Sequence, residues 1–242
     1  MCERNCRRKL YKPVNHVIFD LDGTLLDTEP VYLEVFTEML KERGHMYTTK
    51  LQSQMLGRTT EKCWQVLMEQ LKLSGSLSDI VTEYKKRAYD RLANCQFMPG
   101  AEKLANHLHK KNVPIGIATS SSEHTCLRKF EPHQTFFNMF NPIVYGGSDP
   151  TIKESKPNPA IFIVCAQRFP DNPCPEDCLV FEDSPNGVVA AKEAGMQCVA
   201  IPDPVISRDA VKDAVLILNS MEEFVPESFG LPSLIRLYQE TQ

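Results

Sequence analysis

The sequence predicts an α/β protein with a doubly wound, mainly parallel sheet between two layers of helices, and an all-helical insertion after the first strand. Two observations predict this class. Short apolar runs rich in β-branched residues recur along the 242 residues, with helical patterns between them. One long stretch, 30–96, carries helical periodicity without a convincing strand. Because parallel strands are joined by right-handed helical crossovers, such alternation places helices on both faces of the sheet.

Six apolar runs are the expected strands of the sheet. The four strongest are HVIFD, PIGIATS, CLVFED and QCVAIPD, at 16–20, 114–120, 178–183 and 197–203. A fifth candidate is NPIVYGG at 141–147, and a sixth is VLIL at 215–218. These runs fall in the segments 1–29 and 97–242, which we expect to form one α/β core domain.

The segment 30–96 is predicted to be an α-helical cap domain. Apolar residues recur there at spacings of three or four, and breaks near Gly44, Gly57 and 73–78 separate the helices. The residues that define the period are Leu33, Phe36, Leu40, Trp64, Leu67, Leu71, Ile80, Tyr84, Tyr89 and Leu92.

Composition indicates an ordinary globular protein. Hydrophobic residues make up 42% and charged residues 24%, and the net charge of -4 gives no sign of a surface that binds nucleic acid polymers. The nine cysteines are odd in number and scattered, which favours reduced thiols and a cytoplasmic location. No apolar run approaches the roughly 18 residues needed to span a bilayer. We therefore expect a protein that does not associate with membranes. We also expect the chain to be a monomer.

Carboxylate pairs follow two of the predicted strands. Asp20 and Asp22 end the first strand, and Glu182 and Asp183 end the CLVF run. The carboxyl ends of parallel strands meet at one edge of a sheet, so these side chains are expected to converge. An isolated DxDG could equally be a solvated turn, but several converging carboxylates without histidine favour a hard cation, and the pattern points to Mg²⁺.

Hydroxyl groups and a lysine follow two further strands. Thr119 and Ser120 begin a hydroxyl cluster that opens a predicted helix, a natural place for an anion. Lys153 and Lys156 both precede the next helix, and the Lys-Pro-Asn-Pro context favours Lys156. A metal, a lysine and hydroxyl donors together predict a site that binds a phosphoryl group.

In order along the chain, DLDGT, the threonine after the second strand, the lysine of KPNP and the EDS carboxylates resemble the four motifs of the haloacid dehalogenase superfamily. The resemblance covers about residues 15 to 220 and includes an α-helical cap between the first two motifs. It implies a three-layer Rossmann-like core. It also implies that Asp20 is the nucleophile that forms an aspartyl-phosphate, and that Asp22 is first the general acid and then the base.

The same resemblance implies roles for the other motif residues. Thr119 and Ser120 would hydrogen-bond the phosphoryl oxygens, and Lys156 would neutralise the nucleophile and the transferring group. Mg²⁺ would be held by the Asp20 carboxylate, the Asp22 backbone carbonyl and Asp183, with Glu182 acting directly or through water.

Specificity is expected to reside in the cap, because closure of the cap seals the site against water. Arg58, in the Leu-Gly-Arg-Thr turn, is the cap residue that we expect to contact the polar end of the substrate. A surface ion pair is the alternative role for this arginine.

Further stretches, including FMPGAEKLANHL, LVFEDSPNGVVAAKEAGMQ and SFGLP, are similar to the pseudouridine-5'-phosphatase group. The resemblance implies Mg²⁺-dependent hydrolysis of a small phosphorylated metabolite, pseudouridine 5'-phosphate first. Three alternatives stay open: a 2-deoxyglucose-6-phosphate or glycerol-3-phosphate phosphatase, a β-phosphoglucomutase-like phosphomutase, and a binding protein that kept the fold without activity.

Overall fold

The computed structural model describes residues 11–55 and 59–234. Within these residues the chain forms eight strands: β1 His16–Phe19, β2 Leu26–Asp27, β3 Gln96–Phe97, β4 Ile115–Thr119, β5 Ile143–Tyr145, β6 Cys178–Glu182, β7 Gln197–Ala200 and β8 Leu216–Ile217. Six of them form a parallel sheet in the order β5-β4-β1-β6-β7-β8. All six strands predicted from the apolar runs are present, and the α/β class is confirmed.

The described residues also form nine α-helices: α1 Glu29–Glu42, α2 Thr49–Met55, α3 Thr60–Leu71, α4 Leu77–Arg91, α5 Ala101–Lys110, α6 Glu123–Phe130, α7 Gln134–Phe137, α8 Ala160–Arg168 and α9 Pro185–Glu193. Short 3-10 helices lie at Leu92–Asn94, Glu131–His133, Pro175–Asp177, Arg208–Val211, Met221–Glu223 and Pro226–Phe229.

The strand order places the ends of β1, β4 and β6 side by side. The chain runs from β1 outward through β4 to β5, and then returns to the other side of β1 to form β6, β7 and β8. In the register of the sheet, Phe19 lies opposite Ile117 on one side and Phe181 on the other. The crevice at which the strand order reverses is therefore beyond the carboxyl end of β1, next to Asp20.

Alternation along the buried strands gives the sheet two apolar faces. Phe19 and Phe181 stack on one face, with ring centroids 5.0 Å apart, in a cluster that also contains Leu104 of α5. Ile18 and Val180 point to the other face, where they pack in the cluster that includes residues of α8 and α9. Both faces are buried, which explains why the strands read as nearly continuous apolar runs.

Helices α1, α3 and α4 pack around a third apolar cluster, centred on the buried Trp64. The Phe36 ring lies 5.1 Å from the Trp64 ring and 4.4 Å from the Tyr84 ring, measured between centroids. Arg87 of α4 donates to both carboxylate oxygens of Glu42 at the end of α1, at 2.6 and 2.8 Å. The helices expected in 30–96 are thus present, while the division into core and cap domains stays a prediction.

An antiparallel pair of short strands joins the two ends of this helical segment. Leu26 lies opposite Phe97, and Asp27 lies opposite Gln96. The sequence analysis did not predict this pair, because two residues are too few to show an alternating pattern. Tertiary contact, and not local preference, therefore sets the path of the chain at the point where it enters and leaves α1–α4.

The seven cysteines of the described part of the chain form no disulfide with one another, and six of them are buried. The other two, Cys2 and Cys6, lie outside that part. No helix among the described residues is both long enough and apolar enough to cross a membrane.

Candidate active site

The loop after β1 brings a nearly buried carboxylate to the switch point of the sheet. Asp20 is 6% exposed, and its backbone N–H still donates to the Phe181 carbonyl of β6 at 3.0 Å. Gly23 turns the chain with a φ of +82°, and a Cβ at this position would lie 2.4 Å from Asp183 Oδ2. The glycine of DLDGT therefore permits both the left-handed turn and the close approach of the second acidic loop.

Lys156 connects the carboxylates of the two loops. Its ammonium lies 2.5 Å from Asp20 Oδ1 and 2.6 Å from Glu182 Oε1, and it donates to the Ala118 carbonyl at 3.1 Å. The lysine side chain is only 6% exposed. Lys153, the alternative from the sequence, is exposed instead. The structure thus brings Lys156, and not Lys153, to the Asp20 carboxylate.

Glu182 has both carboxylate oxygens engaged inside the protein. While Oε1 accepts from Lys156, Oε2 accepts from the backbone N–H groups of Asp183 and Ser184 and from the Ser184 hydroxyl, each at 3.0 Å. The Ser184 hydroxyl in turn caps α9 by accepting from the Gly187 N–H at 3.1 Å. Glu182 therefore organises the loop that presents Asp183.

Asp20, Glu182 and Asp183 each place one carboxylate oxygen within 4.8 Å of the others. With Lys156 included, three negative charges and one positive charge leave a formal charge of -2. Oxygen donors without nitrogen or sulfur, in a site with this charge, fit a hard divalent cation such as Mg²⁺.

The pKa values of this cluster reflect the same excess of negative charge. Burial raises the pKa of Asp20 to about 7, a shift that Lys156 opposes and Glu182 increases. The pKa of Asp183 is raised well above its ordinary value, first by burial and then by Glu182 and Asp20. The ionised cluster is therefore costly in the folded chain, and a cation would offset that cost.

Asp22 lies in a separate set of contacts on the other side of the loop. Lys129 Nζ lies 2.5 Å from Asp22 Oδ1, and the Ser121 hydroxyl donates to Asp22 Oδ2 at 2.8 Å. Burial opposes ionisation of Asp22, but the charge of Lys129 and the two hydrogen bonds outweigh it and lower the pKa. The two aspartates of DLDGT thus occupy environments that shift their pKa values in opposite directions.

The hydroxyl cluster lies at the end of β4, beside this loop. Thr119 is 1% exposed, and its Oγ1 accepts from the Ser121 N–H at 3.0 Å, which leaves its proton free to be donated elsewhere. Ser120 is exposed at the tip of the loop. Ser122 begins α6 and accepts from the Thr125 N–H at 3.4 Å. Arg58, the expected contact from the helical segment, lies outside the described residues.

The family model described as haloacid dehalogenase-like hydrolase matches residues 17–201. This span includes both acidic loops, the hydroxyl cluster and Lys156. The chain belongs to the haloacid dehalogenase-like hydrolases.

Similarity to individual members of this family extends over nearly the whole chain. A probable pseudouridine-5'-phosphatase of Drosophila melanogaster is 43% identical, over 93% of this chain and 97% of its own. The (DL)-glycerol-3-phosphatase 2 of Arabidopsis thaliana is 39% identical, over 90% of this chain and 92% of its own. A crystal structure of a hydrolase of this family from Deinococcus radiodurans, at 22% identity, superposes with a TM-score of 0.77 over 93% of this chain and all of that one. This haloacid dehalogenase-like hydrolase is a phosphatase.

The sequence analysis did not single out Lys129, which contacts one of the two motif aspartates of this hydrolase. The sequence did contain a signal that Lys129 is buried. Its spacing from Cys126 and Phe130 places all three residues on one buried face of α6. A lysine on the apolar face of a short helix is unusual and indicates a buried partner for its charge. The partner, however, is 107 residues away in the sequence.

Proposed function

We propose that this phosphatase hydrolyses pseudouridine 5'-phosphate to pseudouridine and phosphate, with Mg²⁺ and through an aspartyl-phosphate on Asp20. The ion-paired contact of Lys156 with Asp20 and Glu182, next to Asp183, is the observation that carries the chemistry. The identity of 43% to the Drosophila relative supports the choice of substrate.

In the first step, an Asp20 carboxylate oxygen attacks phosphorus, and the bond from phosphorus to the ester oxygen breaks. Asp22 is a carboxylate in the free chain, because its pKa is lowered there. It would take up a proton as the phosphate dianion binds, donate that proton to the leaving alkoxide and become a carboxylate again. In the second step, Asp22 takes a proton from water as the water oxygen attacks phosphorus, and the bond to Asp20 breaks. The two steps return both aspartates to the forms that they have with substrate bound, and they release phosphate.

Lys156 orients Asp20 for this attack, since it holds Oδ1 of the carboxylate at 2.5 Å. Its positive charge also opposes the negative charge that collects when a phosphate dianion approaches a carboxylate. Thr119 and Ser120 would donate hydrogen bonds to the phosphoryl oxygens, and Arg58 would contact the polar end of the substrate.

Asp20, Asp183 and the Asp22 backbone carbonyl would hold Mg²⁺. When bound, the ion would supply charge neutralisation at the phosphoryl oxygens. The four hydrogen bonds that Glu182 already accepts favour an indirect role for this residue, through water and through its hold on Lys156 and the Asp183 loop.

A glycerol-3-phosphate phosphatase is the second candidate, favoured by the 39% identity to the Arabidopsis relative. The two candidates share the chemistry at phosphorus and differ in what binds the rest of the substrate. Helices α1–α4 are the region in which that difference is expected to lie.

The test is phosphate release by the purified chain with Mg²⁺, measured as kcat/KM for pseudouridine 5'-phosphate, uridine 5'-phosphate, glycerol 3-phosphate and 2-deoxyglucose 6-phosphate. We expect pseudouridine 5'-phosphate to have the highest value and Asp20→Asn to abolish turnover. A higher kcat/KM for glycerol 3-phosphate would contradict the proposed substrate and support a glycerol-3-phosphate phosphatase. Conversion of β-glucose 1-phosphate to glucose 6-phosphate without phosphate release would overturn the hydrolase assignment.

A further inference from the structure

We propose that Lys129 is a positioning residue for the reaction, which acts by holding the Asp22 carboxylate in place together with Ser121. The inference rests on the acid and base role proposed above for Asp22. It assigns a function to a lysine that has no place in the phosphoryl-binding set.

Three side chains form a closed triangle of hydrogen bonds. Lys129 Nζ lies 2.5 Å from Asp22 Oδ1, the Ser121 hydroxyl lies 2.8 Å from Asp22 Oδ2, and Lys129 Nζ lies 2.9 Å from the Ser121 hydroxyl. Each carboxylate oxygen of Asp22 therefore has a donor of its own. Two separate anchors fix the rotation of the carboxylate as well as its distance from α6.

The burial of the lysine argues that it acts through Asp22 and not on substrate. The Lys129 side chain is 0% exposed, whereas that of Asp22 is 25% exposed. The ammonium thus lies behind the carboxylate as seen from solvent. A substrate can reach the free face of Asp22 without touching the lysine.

Burying the charge of a lysine on the apolar face of α6 costs free energy. Removing an ammonium from water costs free energy that a single ion pair only partly offsets, and well-packed apolar residues often replace such pairs without loss of stability. Stability alone therefore gives a weak reason for a charged residue at this place, where Cys126 and Phe130 are its buried neighbours on the helix. Holding the Asp22 carboxylate in a fixed orientation is a stronger reason for a lysine there.

Ser121 connects the Asp22 carboxylate to the hydroxyl groups that are proposed to bind the phosphoryl group. Its backbone N–H donates to Thr119 Oγ1 at 3.0 Å, and its hydroxyl donates to Asp22. Lys129 thereby fixes the acid and base relative to the same loop that is proposed to bind the phosphoryl group. An error of about 1 Å in such a relationship can cost about 100-fold in rate.

The test is a double-mutant cycle of Lys129→Met and Asp22→Asn, measured on the alkyl phosphate that the purified chain hydrolyses fastest, because the leaving alkoxide of such an ester needs the proton of Asp22. We expect Lys129→Met to lower kcat about 10- to 100-fold with KM nearly unchanged, because the lysine acts through positioning and does not contact substrate. In the Asp22→Asn background the same change is expected to cost less than about 2-fold. Lys103→Met, an exposed lysine of α5, is the matched control and should keep full activity.

A second variant covers the case in which Lys129→Met does not fold. Ser121→Ala removes the bridging hydroxyl without leaving an unpaired charge, and it should lower kcat by a smaller factor that also disappears in the Asp22→Asn background. Losses that multiply in the double variants, or a raised KM with unchanged kcat, would overturn the inference. Full activity of Asp22→Asn alone would instead overturn the proposed role of Asp22, so the two failures can be told apart.

A crystal structure of Lys129→Met gives a readout that does not depend on turnover. We expect the Asp22 carboxylate to rotate away from its contact with Ser121, while Asp20 and Lys156 keep theirs. An unmoved carboxylate in that variant would contradict the positioning role.

Discussion

Gly187 and Glu182 occupy adjoining space so closely that no side chain fits at residue 187. A Cβ on Gly187 would lie 1.8 Å from Glu182 Oε1 and 2.3 Å from Oε2. The glycine of SPNG, in the first turn of α9, is therefore what allows a buried glutamate to lie against the helix and hold both Lys156 and the Asp183 loop.

Gly187→Ala should displace the Glu182 carboxylate and with it the Asp183 loop. We expect the free energy of unfolding to fall by about 1–3 kcal/mol, the usual cost of overpacking, and activity to fall by more than the population of unfolded protein explains. Denaturant unfolding and kcat with Mg²⁺ measure the two effects. Asn186→Ala, at the exposed neighbouring position, is the control. A Gly187→Ala protein with unaltered stability would show that this contact is not tight.

Lys156→Met should nearly abolish turnover, because it removes the cation that contacts both Asp20 and Glu182. We expect kcat to fall about 100- to 1,000-fold, as for loss of a preorganised electrostatic contact in other enzymes. Lys153→Met changes an exposed lysine in the same connection and should change kcat little. Comparable losses in the two variants would show that the buried contact is not what matters.

Removal of Mg²⁺ should abolish activity and lower the thermal stability. A cation bound only by the folded chain stabilises it by about 2.7 kcal/mol at a concentration of 100 times Kd. Unfolding is followed by calorimetry in EDTA and after Mg²⁺ is added in excess. Asp183→Asn should lose most of the stabilisation by Mg²⁺. It should also make the metal-free protein more stable, since it removes one of three crowded carboxylates. A Tm that does not respond to Mg²⁺ would contradict a metal site at this cluster.

The pH dependence of stability should include a contribution from Asp149, in the connection after β5. Hydrogen bonds from Arg168, opposed by burial and reinforced by Thr151, hold the pKa of Asp149 well below its ordinary value of 3.8. The unfolded chain therefore binds more protons at low pH, and the stabilisation is complete above about pH 4 to 5 and declines as the pH falls below that range.

Asp149→Asn tests this contribution by urea unfolding at pH 7 and pH 3. We expect a loss of about 1–3 kcal/mol at pH 7, the range for hydrogen bonds to a charged group, and a smaller loss at pH 3. Asp209→Asn removes a carboxylate that is 82% exposed and 3.5 Å from Lys212, and should change stability little at either pH. An equal loss for Asp149→Asn at both pH values would contradict the lowered pKa.

The sequence by itself determined the class of the fold and predicted the residues of the candidate site. Buried parallel strands must be apolar on both faces, so the six runs could be recognised from local composition alone. The carboxyl ends of such strands converge, so the sequence alone predicts that the polar residues following them form one group: Asp20, Asp22, Thr119, Lys156, Glu182 and Asp183. The choice of Lys156 over Lys153 followed from its proline-rich neighbours.

Tertiary structure decided which group each of these side chains contacts. The pairing of β2 with β3 and the contact of Lys129 with Asp22 join residues 69 to 107 positions apart, and no local period encodes them. The hydrogen bonds of Glu182 likewise depend on how the loop closes over α9. Periodicity reports which face of an element is buried, whereas the partner of a buried charge is fixed by how the elements pack together. The sequence therefore identified the carboxylates, and the packing of the chain gave Asp20 and Asp22 different lysines and opposite shifts in pKa.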